Sequence, residues 1–192
     1  MSELEKPDLS KFLNSLDLTT MRKRHLDMVL DIEHRAYQNP WSRTVFESEL
    51  SQGITRSYIV ALNGRVVVGY CGVLYVVDEA HITNIAVDPN WHRMHIGTRL
   101  LSDMVRRAWN RRIGAITLEV RVSNFNAQRL YQKFGFQPAG VRKGYYQESN
   151  EDALIMWAYD VDSPEYHERL LNIEAQAGIV VESLRRRRHI WS

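Results

Sequence analysis

One cysteine, five prolines and ten glycines occur in 192 residues, and no apolar run approaches the length of a membrane span. Each shortage excludes something. With Cys71 alone, an intramolecular disulfide is impossible, which suits a reducing compartment, and the cytoplasm is the expected location. Cys71 lies in the apolar run 66–77, so a buried, inert thiol is expected there, and no nucleophile signature surrounds it. A membrane helix needs about 20 apolar residues, so no membrane association is expected. The opening residues are mixed and acidic, without the basic and apolar regions of a secretory signal. No low-complexity linker and no internal repeat is visible. Neither charge dominates: 25 Lys and Arg against 23 Asp and Glu leave a formal net charge of +2, which singles out no class of partner. Arg106, Arg107, Arg111 and Arg112 read as solvated surface. The run from Arg185 to Arg188 is only a weak pointer to nucleic acid or the ribosome, and no direct nucleic-acid partner is expected. A monomer or weak dimer is the expected assembly.

The patterning that is present describes one mixed α/β domain. Residues 1–15 show no clear period and read as a loosely ordered leader. The domain proper is expected over 16–161, followed by a helix and basic tail over 162–192. Within the domain a short strand at 16–21 precedes apolar positions at helical spacing (Leu26, Val29, Leu30, Ile32, Ala36), stopped by Asn39-Pro40. Ser42 can cap a second helix that buries Val45, Phe46 and Leu50. Two β-branched and aromatic runs, 57–62 and 65–76, flank Asn63-Gly64, a strong hairpin signal. A third run, 80–87, breaks at Asp88-Pro89. The helical period then returns through Ile96, Leu100, Leu101, Met104, Val105 and Ala108. A strand over 113–122, a short helix capped by Ser123-Asn124, and strands over 136–146 and 153–161 complete the domain. Residues 164–176 read as a terminal helix.

The most informative junction is the strand ending at Val87, the loop 88–95 and the helix that opens near Gly97. A helix N-terminus presents free N–H groups and the positive end of its dipole, so such a junction suits an anion. Asn84-Ile85-Ala86-Val87-Asp88-Pro89 followed by His92-Arg93-Met94-His95-Ile96-Gly97 resembles the acetyl-CoA motif of the GNAT superfamily of N-acetyltransferases. That family's loop reads Gln/Arg-x-x-Gly-x-Gly/Ala. Gly97 matches its last position, while His92 and His95 replace the first two. Glycine at the position of His95 lets backbone amides approach a phosphate. Histidine is less at ease at positive φ, but it keeps the N–H and can add positive charge when protonated.

A longer stretch, Leu118-Glu119-Val120-Arg121-Val122-Ser123-Asn124 with Ala127, Leu130-Tyr131 and Gly135-Phe136, resembles the RimI branch of that superfamily. Members of that branch acetylate the N-terminal alanine of a small-subunit ribosomal protein. The resemblance spans about residues 17–159. It implies the GNAT fold, acetyl-CoA as co-substrate, no metal, and a protein N-terminus as the partner acted upon. It implies that Ile85, Ala86 and Val87 pair with the pantetheine arm and that Arg93, Met94, His95, Ile96, Gly97 and Thr98 cradle the pyrophosphate. Asn124 and Tyr131 would also contact the cofactor, with Glu119 as general base and Tyr131 as general acid.

By residue chemistry alone, each of these positions also fits a purely structural role. Glu119 can pair with Arg121 on the same strand face, Tyr131 can be a core tyrosine, and Asn124 a helix cap. As a base, Glu119 is expected to be raised toward neutrality by burial or to act through water. Glu33, Asp78, Glu79, Glu148 and Glu151 can give an acidic surface for a basic peptide, and Tyr145 and Tyr146 can wall its slot. An α-amino group, with a pKa of ~7.7–8.0, is roughly a tenth neutral near pH 7. A lysine is less than ~0.1% neutral, a handicap of ~3–4 kcal/mol. An N-terminus is thus the easier acceptor for a single carboxylate base. Lysine side chains, other N-termini, small amines, and a catalytically silent binding module remain the alternatives.

Overall fold

The computed structural model describes residues 9–180. The run from Arg185 to Arg188 and the first part of the expected leader lie outside the described residues. Local signals account for most of the elements. A turn of 3₁₀ helix, Lys23–His25, leads into α2 (Leu26–Ala36), whose Leu26, Val29 and Ile32 are fully buried. Ser42 caps α3 (Arg43–Ser51), its hydroxyl accepting from the Val45 amide at 3.4 Å. Phe46 is the buried anchor of α3, whereas Val45, expected beside it, is exposed. Asn63-Gly64 turns β2 (Arg56–Asn63) into β3 (Val66–Val76), with Gly64 at φ 62, where a side chain is strained. After β4 (Glu79–Val87), a 3₁₀ turn Pro89–Trp91 precedes α4 (Ile96–Asn110). Then follow β5 (Ala115–Arg121), α5 (Phe125–Lys133), β6 (Gln137–Tyr146), β7 (Glu151–Tyr159) and α6 (Pro164–Gln176).

With β1 (Asp17–Thr20) at one edge, the sheet has seven strands in the order β1-β2-β3-β4-β5-β7-β6. All neighbours are antiparallel except β4 and β5. Period-two alternation divides the side chains between two cores. Ile59, Ala61, Val68 and Cys71 face a layer made by α4, α5 and α6. Tyr58, Val60, Val67 and Tyr70 face α2 and α3, where the Phe46 ring meets Tyr70 edge-on at 5.7 Å. Cys71 is completely buried and its thiol is pushed up by that burial, as an inert core residue.

Two expectations need correction. Residues 9–15, read as loosely ordered, form a helix, α1 (Leu9–Ser15), with Leu13 fully buried in the same core as α4. The end segments share that core: Leu13, Tyr166, Leu170 and Ile179 all belong to it. The mid-chain arginines are not simply solvated either. Arg106 holds Glu174, which is only 2% exposed, through two hydrogen bonds, the Nε bond at 2.8 Å. Arg107 pairs with Asp103 one turn earlier, and Arg111 lies 4.1 Å over the Tyr75 ring.

Candidate active site

β4 and β5 are hydrogen-bonded only from Glu79↔Ala115 to Ile82↔Leu118. Beyond that register the strands part, while β4 stays paired to β3 as far as Val87. A β-bulge in β4 leaves Thr83 unpaired between Ile82↔Val73 and Asn84↔Gly72, and bends the strand where it separates. The divergence leaves residues 83–87 without a strand partner on their β5 side; the Ile85 and Val87 carbonyls hold Tyr37 and His92, and the remaining backbone groups there are available to an extended ligand. A cavity of about 640 Å³ opens at this place. It is lined from the sheet by His81, Thr83, Ile85, Glu119 and Arg121, from α5 by Tyr131, and from the helical side by Glu33, Tyr37 and Trp41.

Glu119 sits on the floor of the cavity with its side chain 8% exposed. Its Oε2 lies 2.6 Å from His81 Nε2, and Arg142 reaches Oε1 at 3.2 Å. The expected Arg121 partner is not used. Arg121 instead binds Glu151 at 2.9 Å, Ser149 at 2.8 Å and Glu148, all on the β6–β7 turn, and stacks 3.9 Å over Tyr146. A second correction concerns charge. The hydrogen bond from His81 outweighs burial and, with Arg142, holds the Glu119 carboxyl below the usual carboxylate range rather than raising it. The carboxyl that burial does raise is Glu33, 1% exposed, which accepts from the Trp41 amide and the Asn84 side chain, each at 2.8 Å. Glu33 was expected as a surface acid. It instead ties the loop after α2 to β4.

Tyr131 lines the cavity and is 6% exposed. Burial pushes its phenol upward, so it stays protonated, and its hydroxyl has no hydrogen-bond partner among the described residues. That separates it from a core tyrosine with a satisfied hydroxyl. Asn124 is both cavity wall and helix cap, accepting from the Ala127 amide at 3.1 Å. Tyr145 and Tyr146 stand on the opposite wall, edge to face at 5.2 Å, and burial pushes the Tyr146 phenol up to about 12. Glu148 lines the cavity, whereas Glu151 is spent on Arg121 and the Ser123 amide. Asp78 and Glu79, expected beside the acceptor, stand at the far end of β4 and do not line the cavity.

A strand, a 3₁₀ turn and a helix follow one another at the junction from Ile82 to Gly97. Asp88 is buried, accepts from the Asn90 amide, and is clamped by both Arg35 guanidinium nitrogens at 2.9 and 3.0 Å. His92 donates from Nε2 to the Val87 carbonyl at 3.1 Å, and Tyr37 donates to the Ile85 carbonyl at 2.7 Å. Ala86 is buried, Met94 packs on the core, and Ile96 and Thr98 turn inward, while the side chains of His92, Arg93 and His95 are exposed. Gly97 allows α4 to approach α5: a Cβ there would lie 3.2 Å from Leu130. Arg93 and His95 both take the left-handed region, at φ 61 and 57. Alternating residues of that kind point successive N–H groups into a common concavity.

The strain at His95 gives a simple expectation. His95→Gly removes a left-handed side chain, and the gain exceeds the glycine entropy cost by about 0.5–1 kcal/mol, or a rise in melting temperature of about 1–4 °C. Thermal unfolding of the two proteins checks this. An unchanged or lower melting temperature would mean that the imidazole makes a contact worth as much as the strain.

His81, Arg142 and Tyr37 were not singled out from the sequence. The signal for His81 was available: it alternates against the apolar Ala80 and Ile82, on the strand that runs parallel to the one bearing Glu119. Among the described residues no group of three or more His, Cys, Asp or Glu could hold a metal, and no helix is long and apolar enough to cross a membrane.

Comparison with known proteins agrees with this geometry. Residues 26–136 match the family model of the acetyltransferase (GNAT) family. A Bacillus subtilis protein, provisionally named a ribosomal protein bS18-alanine N-acetyltransferase, is 42% identical over 137 residues, 71% of this chain and 91% of that one. The crystal structure of the ribosomal-protein-S18-alanine N-acetyltransferase from Escherichia coli superposes with a TM-score of 0.70 at 32% identity, covering 76% of this chain and 94% of that one. The fold alone is shared with an N-acetyltransferase from Thermoplasma acidophilum solved with coenzyme A, at TM-score 0.64 and 13% identity over 75% of this chain and 98% of that one.

Proposed function

The chain belongs to the GNAT family of acetyltransferases and is an N-acetyltransferase; from that premise we propose that it moves the acetyl group of acetyl-CoA to the α-amino group of an N-terminal alanine on a small-subunit ribosomal protein. The observation that carries this reading is the Glu119–His81 pair, 2.6 Å apart at the foot of the strand divergence, where a thioester lying along β4 would end. The relatives named for alanine N-acetylation of ribosomal protein bS18 supply the acceptor.

The donor fits what the chain offers. The unpaired edge at Ile85 to Val87 would take the pantetheine amides, and the concave backbone from Arg93 to Thr98, with the α4 dipole behind it, would take the pyrophosphate. On the acceptor side the ammonium group gives its proton to the Glu119–His81 pair, directly or through one water. The neutral nitrogen then adds to the thioester carbonyl. The oxyanion that forms lies beside free backbone N–H groups of β4. As the carbon–sulfur bond breaks, the Tyr131 hydroxyl donates to the departing thiolate. The nitrogen sheds one of its two remaining protons to solvent and keeps the other as the amide N–H.

Tyr145, Tyr146 and Glu148 wall the acceptor entrance, and Arg121 fixes Tyr146 and Glu148 through the β6–β7 turn. The test is an acetylation assay over peptides that differ only in the first residue, alongside free lysine and small amines. Alanine-initiated peptides are expected to lead by at least about tenfold, a difference of about 1.4 kcal/mol. Equal rates on small amines and alanine-initiated peptides would remove the ribosomal-protein assignment and leave an acetyltransferase of another acceptor.

A further inference from the structure

The cofactor loop is held from outside the span that the family model matches. That match covers 26–136, and both α1 and α6 fall beyond it. Phe12 of α1 stacks on Trp91, ring centroids 5.4 Å apart and planes 9° from parallel. Trp91 closes the 3₁₀ turn that feeds His92 to His95, and both rings pack on the sheet's larger core. α1 is itself fastened. Leu13 is buried, the Asn14 side chain donates to the Gly178 carbonyl at 2.8 Å, and it accepts from the Val180 amide at 2.8 Å. Ser10 donates to the same Gly178 carbonyl at 2.9 Å. Residues 178–180 follow directly on α6, and α6 is bound to α4 by the pair of Arg106 with the buried Glu174. These contacts form a closed circuit that starts at the loop before α4, passes through α1 and α6, and returns to α4.

The loop needs such support. Arg93 and His95 sit in the left-handed region, which non-glycine residues leave readily unless the surroundings hold them. The backbone N–H groups that would grip a pyrophosphate converge only in that conformation. We infer that α1 and α6 act as a brace that keeps the pyrophosphate loop in its binding conformation, with Phe12 a positioning residue acting through Trp91. This inference rests on the reading of that loop as the acetyl-CoA site. It assigns a role in the reaction to segments that touch neither substrate.

A loop competent only part of the time weakens apparent affinity in proportion to the fraction lost. Calorimetric titration of the full chain with CoA, and steady-state kinetics in both substrates, test this. Phe12→Ala is expected to weaken CoA binding and raise the KM for acetyl-CoA by about tenfold, a loop competent about a tenth of the time. The acceptor KM, and kcat at saturating acetyl-CoA, should stay within about twofold, because a saturating ligand restores the bound conformation. Phe12→Tyr keeps the ring and should restore parental affinity. Asn14→Ala, which frees α1 from Gly178, should shift CoA affinity in the same direction as Phe12→Ala. If the parent binds CoA and Phe12→Ala binds it equally well, the brace is wrong and the site reading stands. If Phe12→Tyr fails as badly as Phe12→Ala, or kcat falls while affinity holds, the stack has no positioning role. A parent that binds no CoA at all overturns both.

Discussion

Replacing Glu119 with Gln is expected to lower turnover on an alanine-initiated peptide by about 10²–10⁴-fold, the usual weight of a general base. CoA affinity should stay within about twofold, since the side chain touches His81 and Arg142 rather than the donor site. The geometry refines what this residue does. Its carboxyl is held below the ordinary carboxylate range, so it is ionised throughout the neutral pH region. Alone it would be a poor base: even an ordinary glutamate lies more than three units below an α-ammonium of pKa ~7.7–8.0, an uphill transfer of about 4–5 kcal/mol, and Glu119 is held lower still. Imidazole as a class is closer to the amine by about two units. On the proposed mechanism the hydrogen-bonded pair of His81 and Glu119 would therefore receive the proton, with the carboxylate stabilising the imidazolium that results. The pH dependence follows. In Glu119→Gln the imidazole lacks the carboxylate that would stabilise its charged form, so amine already neutral in solution carries more of the reaction, and the rate should climb by as much as about tenfold per pH unit until the amine pKa near 8 is passed. The parent, which deprotonates the bound ammonium itself, should change far less. The gap between the two proteins narrows from pH 6 to pH 8, and kcat/KM profiles on one peptide measure it. A Gln variant with parental activity across that range would show that another group, or water, takes the proton.

Tyr131→Phe is expected to cost about 10²–10³-fold in kcat, with little change in the KM of either substrate. Burial keeps the phenol protonated, so its hydroxyl is always a donor. A reference thiol, with a pKa of about 8.5, is more acidic than a phenol at about 10 or above, so complete transfer from Tyr131 to the sulfur is uphill. On the proposed mechanism the hydroxyl would thus serve the reaction chiefly by hydrogen-bonding the thiolate as it leaves. The check is a leaving-group series. Acetyl thioesters of more acidic thiols need less help, and the deficit of the Phe variant should shrink across the series. A constant deficit would mean that the hydroxyl acts on the acceptor or on the fold.

Where structure follows from neighbouring residues, the sequence was a sufficient guide. Asn63-Gly64, the Ser42 cap and the helix over Pro164–Gln176 each depend on contacts within a few positions, and each occurs as read. The junction from Ile82 to Gly97 was legible for the same reason. What failed was long-range or short of signal. α1 has apolar positions at Leu9, Phe12 and Leu13, with Leu16 just beyond its end, a helical spacing, but seven residues are too few to stand out against a leader. The placement of β7 between β5 and β6 cannot be read from periodicity, and it brings Arg142 to Glu119. The Arg121 partnership was sought two residues away on one strand. The sheet instead offers that arginine the acids of a turn that β7 carries alongside it.

The parting of β4 from β5 has a consequence for the life of the protein as well as its chemistry. On the proposed binding mode, a sheet that lacks part of one ladder would be finished by its own reactant, so the donor would double as a structural member. At a donor concentration a hundred times its dissociation constant, the folded state gains about 2.7 kcal/mol over the chain alone. When the acyl supply falls, the protein loses that reinforcement along with its work. Its resistance to proteases, and with it its abundance, should then track the metabolic state that feeds it.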